Sequence, residues 1–170
     1  MIVLTPVTTP SQYEAIRELM AEYIAWDVEE TKKLGLDPQV FMDFYYGHKP
    51  ENLPGEFAPP AGCLLLATVN NEPAGCGGYR PLSEDICELK RIYVRQHYRG
   101  RKIGRLLVTE LLQKAKLNGY RKVRLDTASF MLEAHQLYQA FGFQFCPPYY
   151  EIPQALQAST YFMELQLDEP

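Results

Sequence analysis

The alternation of hydrophobic and polar residues along the chain predicts helices and strands in a mixed order. Apolar residues recur at helical spacing in segments over about residues 11–31, 38–46, 101–118 and 133–141. Short apolar runs bounded by turn residues predict strands over residues 2–7, 63–69, 73–79, 86–94, 123–127, 143–146 and 161–167. Because the two kinds of element do not alternate strictly, we expect an α+β domain with a mixed, mostly antiparallel central sheet flanked by helices.

Local signals mark several boundaries of these elements. Thr9 or Ser11 can cap the first helix, and Gly119 and Gly142 each follow a predicted helix at the position where a left-handed residue ends it. Residues 47–62 hold seven glycines and prolines and are predicted to form a loop. No repeat or change of composition divides the chain, so residues 1–170 are predicted to form a single domain.

The composition narrows the class of protein. The four cysteines show no CxxC pairing, and the three histidines have no spacing that suggests a zinc site, so we expect buried thiols and no metal. The first residues lack the pattern of a signal peptide, and no apolar run reaches the length of a bilayer span. These absences favour a cytoplasmic protein without a membrane partner.

The charges are distributed very unevenly. Residues 90–124 hold twelve of the seventeen Lys and Arg with one acid, Glu110, which gives this segment a charge of +11 in a chain of net charge −4. A basic segment in an acidic protein indicates a localised anionic ligand more than general affinity for nucleic acid. By charge alone, a solvated basic face is an equal alternative.

The basic residues crowd the predicted start of the helix at 101–118. Four cations, Arg99, Arg101, Lys102 and Arg105, lie where the partial positive charge of a helix disfavours them. They are explained if an anion such as a phosphate binds the free N–H groups there. Neither the P-loop pattern nor the dinucleotide-binding pattern of glycines is present.

The basic segment and the blocks on either side of it resemble a known family. The segment RGRKIG at 99–104 is similar to the R/Q-x-x-G-x-G/A signature of the GNAT N-acetyltransferase superfamily. The blocks ELKRIYV at 88–94, RLDTA at 124–128 and AHQLYQAFGF at 134–143 follow the order and spacing of that family. The resemblance covers residues 61–146 and implies a GNAT-like fold, with acetyl-CoA as co-substrate.

Two positions depart from the family pattern. Lys102 replaces the middle glycine of the signature, which a lysine can do with a negative φ. Met131 stands where the family often has an asparagine that contacts the cofactor.

The resemblance also implies which residues hold the cofactor. Its pyrophosphate is expected on the backbone N–H groups of residues 99–104, with the pantetheine arm paired to strand backbone at Ile92, Tyr93 and Val94. The cofactor-binding set is then completed by Arg99, Gly100, Arg101, Lys102, Ile103, Gly104 and Arg105.

Glu88 is a candidate general base. Strand alternation places it on one face with Lys90, Ile92 and Val94, and places Leu89 and Tyr93 on the other. A carboxylate within a central strand is costly to bury unless it is paired or functional. A partly desolvated Glu88 could take the proton of an amine, as the resemblance implies, whereas a salt bridge to Lys90 or Arg91 is the structural alternative.

Tyr138 is a candidate general acid. Its helical spacing alone indicates a core aromatic, while the resemblance implies that its hydroxyl protonates the departing CoA thiolate. Asp126 could orient a neighbour, hold the substrate amine or cap the next segment. Tyr149 and Tyr150 could line the acceptor pocket or simply pack.

Three functions follow from these observations. The leading one is an N-acetyltransferase that moves an acetyl group to an amine of a small molecule, amino acid or peptide by direct attack, in a protein that could be a homodimer. Lys102 and Met131 motivate a non-catalytic acyl-CoA-binding or regulatory module. The seven bases between Lys90 and Arg105 motivate a nucleic-acid-binding protein, against which the overall acidity counts.

Overall fold

A computed structural model describes residues 1–47 and 52–167. Residues 48–51, which fall in the predicted loop, and residues 168–170 lie outside the described part. The strands are β1 (Ile2–Pro6), β2 (Cys63–Val69), β3 (Glu72–Pro81), β4 (Ile86–Val94), β5 (Lys122–Ala128), β6 (Gln144–Cys146) and β7 (Thr160–Gln166). The helices are α1 (Pro10–Lys33), α2 (Pro38–Tyr45), α3 (Ile103–Leu117), α4 (Leu132–Ala140) and α5 (Gln154–Gln157).

The strands form one seven-stranded sheet in the order β1-β2-β3-β4-β5-β7-β6. Among these pairs only β4 and β5 run parallel, and the other five pairs are antiparallel. The prediction of an α+β domain with a mixed, mostly antiparallel sheet is therefore confirmed.

The two faces of the sheet carry separate cores. Leu65 packs with Leu107 and Leu111 of α3, whereas its neighbour Leu66 packs with Ile16 of α1. Consecutive strand residues point to opposite faces, so β2 contributes to both cores. The apolar stripes of α1 and α3 thus cover the sheet from its two sides and fix its central strands between them.

Most predicted elements are present, with shifted ends. Thr9 caps α1 through a capping box with Gln12, as one of the two predicted caps. The helix predicted to begin at residue 101 begins at Ile103, so the preceding basic residues form a turn. Phe143 was predicted to begin a strand, but it precedes β6 as a buried core residue. The four-residue helix α5 was not predicted.

None of the described helices combines the length and the apolar character that a bilayer span requires.

Candidate active site

A cavity of about 780 Å³ opens in the middle of the sheet, where two strands diverge. β4 and β5 pair only through Ile86–Glu88 and Lys122–Arg124. Beyond these residues, 89–94 of β4 and 126–128 of β5 line opposite walls of the cavity. The short parallel pairing therefore creates a cleft that reaches into the sheet.

A β-bulge shapes the β4 wall of this cleft. Arg91 has a φ of +62°, and the pairing of β3 with β4 shifts register between Cys76 and Gly78. The extra residue reverses the alternation that simple strand geometry predicts. Ile92 and Val94 consequently pack with the cluster of Leu89 rather than on the face of Glu88, so the predicted face assignment was wrong beyond Lys90.

The turn before α3 forms one end of the cavity. Arg99, Gly100, Lys102, Ile103, Gly104 and Arg105 line it, together with Ile92, Tyr93 and Val94. Arg101 is not among these lining residues; its guanidinium lies 5.5 Å from the centre of the Tyr98 ring. The structure thus brings together the predicted cofactor-binding residues with the exception of Arg101.

Lys102 occupies the turn in an unexpected conformation. It is the N-cap residue of α3 with a φ of +63°, so the negative φ expected for it was wrong. The left-handed region is unfavourable for a lysine by roughly 1–2 kcal/mol, which a glycine would avoid. The backbone therefore keeps the shape of a glycine turn although the side chain is a lysine.

This end of the cavity suits a pyrophosphate. The first intrahelical bond of α3 joins the N–H of Leu106 to the carbonyl of Lys102, so the N–H groups of Ile103, Gly104 and Arg105 have no partner within the helix. A Cβ atom at Gly104 would lie 3.4 Å from the Leu137 side chain, in ordinary van der Waals contact. N–H groups without a partner in the helix, at a helix N-terminus beside three cationic side chains, are features that bind anions in proteins.

Glu88 is buried beside the cavity, behind the lining residue Lys90. It is fully buried, and it is not among the described residues that line the cleft. Its Oε1 accepts from Arg80 Nε at 2.9 Å, and its Oε2 accepts from the Tyr149 hydroxyl at 2.5 Å. Lys90 Nζ is 3.6 Å from Oε1. Glu88 therefore forms the salt bridge to Lys90 that the structural alternative predicted, with Arg80 as a closer partner, and its role as general base stays a prediction.

Tyr138 on α4 is one of the residues that line the cavity. The side chain is buried at 7% exposure, lines the cavity and packs 5.7 Å from the ring of Phe143. Burial, and secondarily the charge of Asp126, raises the pKa of Tyr138 above its ordinary value. Its hydroxyl therefore remains a proton donor at neutral pH.

Three further predicted candidates, Asp126, Tyr149 and Tyr150, are engaged in polar contacts. Asp126 lines the cavity and accepts hydrogen bonds from Lys90 Nζ at 2.6 Å and from the Tyr150 hydroxyl at 2.8 Å. Tyr149 and Tyr150 are not among the described lining residues. They hold Glu88 and Asp126, respectively, from the loop before α5.

Helix α1, helix α2 and the residue that caps α2 form a further wall of the cavity, which the sequence did not predict. This wall contains Tyr23, Trp26, Asp27, Phe41, Tyr45 and Tyr46. Asp27 lies four residues after Tyr23 and is 2% exposed. A carboxylate that continues the apolar stripe of a helix was the signal in the sequence that could have identified it.

Comparisons with known proteins agree with this geometry. The sequence profile described as the Acetyltransferase (GNAT) family matches residues 16–143. An uncharacterised N-acetyltransferase of Schizosaccharomyces pombe is 32% identical over 157 residues, covering 89% of this chain and 88% of the relative. The N-acetylaspartate synthetase of Mus musculus is 33% identical over 87 residues, which are 51% of this chain but 29% of that enzyme.

Solved structures show the same fold. The PaiA N-acetyltransferase of Thermoplasma acidophilum, in complex with coenzyme A, has a TM-score of 0.73 at 18% identity and covers 98% of this chain and 99% of its own. A GNAT family acetyltransferase of Elizabethkingia anophelis with acetyl-CoA bound has a TM-score of 0.60 at 23% identity and covers 98% of both chains. On the family match and the yeast relative, this chain belongs to the GNAT acetyltransferases, with acetyl-CoA as its co-substrate.

Proposed function

We propose that this protein transfers the acetyl group of acetyl-CoA to a primary amine of a small molecule, amino acid or peptide by direct attack. The observation that carries the proposal is one continuous cavity. It joins the anion-binding turn before α3 to Tyr138 and to the aromatic wall of α1 and α2. Both substrates can therefore meet at the point where β4 and β5 diverge, which replaces a bimolecular encounter by an oriented one.

The turn before α3 sets the position of acetyl-CoA in this proposal. The pyrophosphate binds the free N–H groups of residues 103–105, with Arg99, Lys102 and Arg105 around it. The pantetheine arm follows β4 beside Ile92–Val94, and backbone N–H groups near Ile92 polarise the thioester carbonyl. These contacts place the thioester toward Tyr138.

Tyr138 completes the transfer in this proposal. The amine nitrogen attacks the thioester carbon, the C–N bond forms, and the C–S bond breaks. Tyr138 donates its hydroxyl proton to the leaving thiolate and regains a proton from the attacking nitrogen. The raised pKa of Tyr138 supports this role, because the phenol arrives protonated.

The choice of amines to test as acceptors follows from the lining of the cavity and from one group of relatives. Those named N-acetylaspartate synthetase match this chain over about half its length, so amino acids join simple alkylamines and peptide termini among the acceptors to test. The aromatic wall suits the apolar body of any of these.

The test is CoA release from acetyl-CoA, measured with and without each amine. Amine-dependent release above buffer, with an N-acetylated product identified by mass spectrometry, supports the proposal. Tyr138→Phe is expected to lower kcat by roughly 10²-fold and to leave the affinity for CoA unchanged by calorimetry. Release that no amine accelerates would reject transfer and favour the non-catalytic acyl-CoA-binding alternative.

A further inference from the structure

Asp27 is a buried carboxylate in which one of the two oxygens accepts a hydrogen bond. Its Oδ2 accepts from the Tyr46 hydroxyl at 2.5 Å, while its Oδ1 has no hydrogen-bond partner in the described structure. The side chain is 2% exposed and lines the cavity. A buried carboxylate oxygen without a partner is costly, and such a group in a native protein calls for a ligand that satisfies it.

The groups that face Asp27 come from four elements. They are Tyr23 and Glu30 on α1, Tyr46 at the C-terminal cap of α2, Arg91 on β4 and Asp126 on β5. Burial raises the pKa of Asp27 from 3.8 to about 7, and the Tyr46 hydrogen bond and the charge of Arg91 only partly oppose it. The carboxyl group can therefore gain and lose a proton near neutral pH.

The surroundings of the free oxygen suit a cation that donates hydrogen bonds. The rings of Tyr23, Trp26 and Tyr46 line the cavity; Tyr23 packs 6.3 Å from Trp26, and Tyr46 contacts Asp27. An ammonium group brings N–H donors for Oδ1 and is attracted by the faces of aromatic rings. The guanidinium of Arg91 lies 5.2 Å from the centre of the Tyr46 ring, and within the described part of the chain nothing donates a hydrogen bond to Asp27 Oδ1.

Tyr23 links this carboxylate to the proposed acid. The charge of Asp27 and that of an ionised Tyr138 would both raise the pKa of Tyr23, as its burial does. Asp27 and Tyr138 therefore both influence the pKa of Tyr23, and all three residues line the cavity. The same cavity therefore holds both a proton acceptor and a proton donor.

We propose that Asp27 binds the ammonium of the acceptor through Oδ1 and removes its first proton, so that it is the general base of the transfer. The inference rests on the proposed function. The proton moves from nitrogen to Asp27 and is later released to water, and the freed lone pair forms the C–N bond. The second nitrogen proton replaces the one that Tyr138 gives to the thiolate, so that one proton is released for each acetyl group transferred.

The test is the pH dependence of kcat/KM with a primary alkylamine that loses its own proton only above pH 9. For the wild-type protein, kcat/KM is expected to fall as the pH is lowered from 8 to 6, because kcat/KM reports the ionisation of groups in the free enzyme and Asp27 becomes protonated there. We call this fall the acid limb of the profile. Asp27→Asn is expected to lose this limb and to lower kcat/KM at pH 7.5 by roughly 10²–10⁴-fold. Glu29→Gln, an exposed carboxylate on the same helix, is the matched control and should retain both.

Two results would overturn the inference while leaving acetyl transfer intact. One is a wild-type kcat/KM that rises without a break from pH 6 to 9, as expected if the ammonium group loses its proton in solution before it binds. The other is an Asp27→Asn protein that keeps the wild-type profile and rate. CoA affinity by calorimetry identifies a folded variant, and the wild-type profile tests the inference without any variant. A wild-type protein inactive with every amine rejects the proposed function itself.

Discussion

Two buried carboxylates in this protein have opposite environments. Glu88 in β4 is surrounded by donors: Arg80 and Tyr149 occupy its oxygens, and it does not line the cavity among the described residues. Asp27 in α1 lines the cavity, and one of its oxygens has no hydrogen-bond partner among the described residues. In our proposal, the first arrangement stabilises the fold, whereas the second is completed by the ammonium of the acceptor. Burial alone therefore does not identify a functional carboxylate; the state of its acceptor oxygens does.

The largest expected effect is an opposite change in stability when each carboxylate is neutralised. Asp27→Asn should raise the free energy of unfolding at pH 8 by up to about 4 kcal/mol, since each pKa unit corresponds to about 1.4 kcal/mol. Glu88→Gln should lower it by about 2–4 kcal/mol, because Arg80 loses a buried partner. Denaturant unfolding of both variants measures these changes, and changes of the same sign would remove the distinction.

The pH dependence of the Asp27 effect follows from the direction of its pKa shift. The folded protein holds a proton that the unfolded chain releases between about pH 4 and pH 7, so this residue lowers the stability as pH rises through that window. The stability difference between Asp27→Asn and the wild type should be small at pH 4 and level off above pH 7. A difference independent of pH would contradict the raised pKa.

The same comparison applies to two cations. Arg99 lines the cavity and Arg101 does not, although both belong to the basic turn. Arg99→Glu should weaken CoA binding by roughly 10²-fold through the loss of a charge-assisted contact, while Arg101→Glu should weaken it only a few-fold through a more distant charge. Calorimetry with CoA measures both, and equal losses would show that only the net charge of the turn matters.

The tyrosine that donates to each carboxylate separates the two roles further. Tyr149→Phe removes a donor from Glu88 and should reduce stability by about 1–3 kcal/mol, with the acid limb of kcat/KM left in place. Tyr46→Phe removes the hydrogen bond that lowers the pKa of Asp27, so the acid limb should move to higher pH. If the acid limb moved in Tyr149→Phe and not in Tyr46→Phe, Glu88 would be the general base and Asp27 the structural carboxylate.

The smallest effect concerns Lys102, where stability and the ligand site also conflict. Lys102→Gly should raise the free energy of unfolding by about 0.5–1 kcal/mol, because its φ of +63° suits glycine. The variant should bind CoA more weakly, since it loses a cation that lines the cavity. Unfolding and CoA titrations of one preparation measure both changes, and an unchanged CoA affinity would remove Lys102 from the site.

The sequence predicts the framework of this site better than its details. The basic turn, the β4 strand and Tyr138 could be located because glycines, charges and helical spacing mark them, and the family resemblance gives them roles. Their meeting in one cavity depends on where β4 and β5 stop pairing, which no local pattern encodes.

Two features escaped prediction for physical reasons. The bulge at Arg91 reverses the alternation of β4, and its residues have no glycine or proline to mark it. Asp27 continues the stripe of Ile16, Met20 and Tyr23 on α1, but a polar residue there resembles the end of an apolar face. Only the packing of α2 over α1 turns that position into a buried wall of the cavity.

The central claim is that Asp27 carries a proton that it can exchange near neutral pH, and carbon-13 NMR of the side-chain carboxyl groups measures this directly. The account predicts one aspartate signal that titrates with a midpoint near pH 7. That signal should be missing from Asp27→Asn, retained in Glu29→Gln, and shifted to a lower midpoint when an acceptor amine binds. A spectrum in which no aspartate signal moves between pH 6 and 8 would contradict the account.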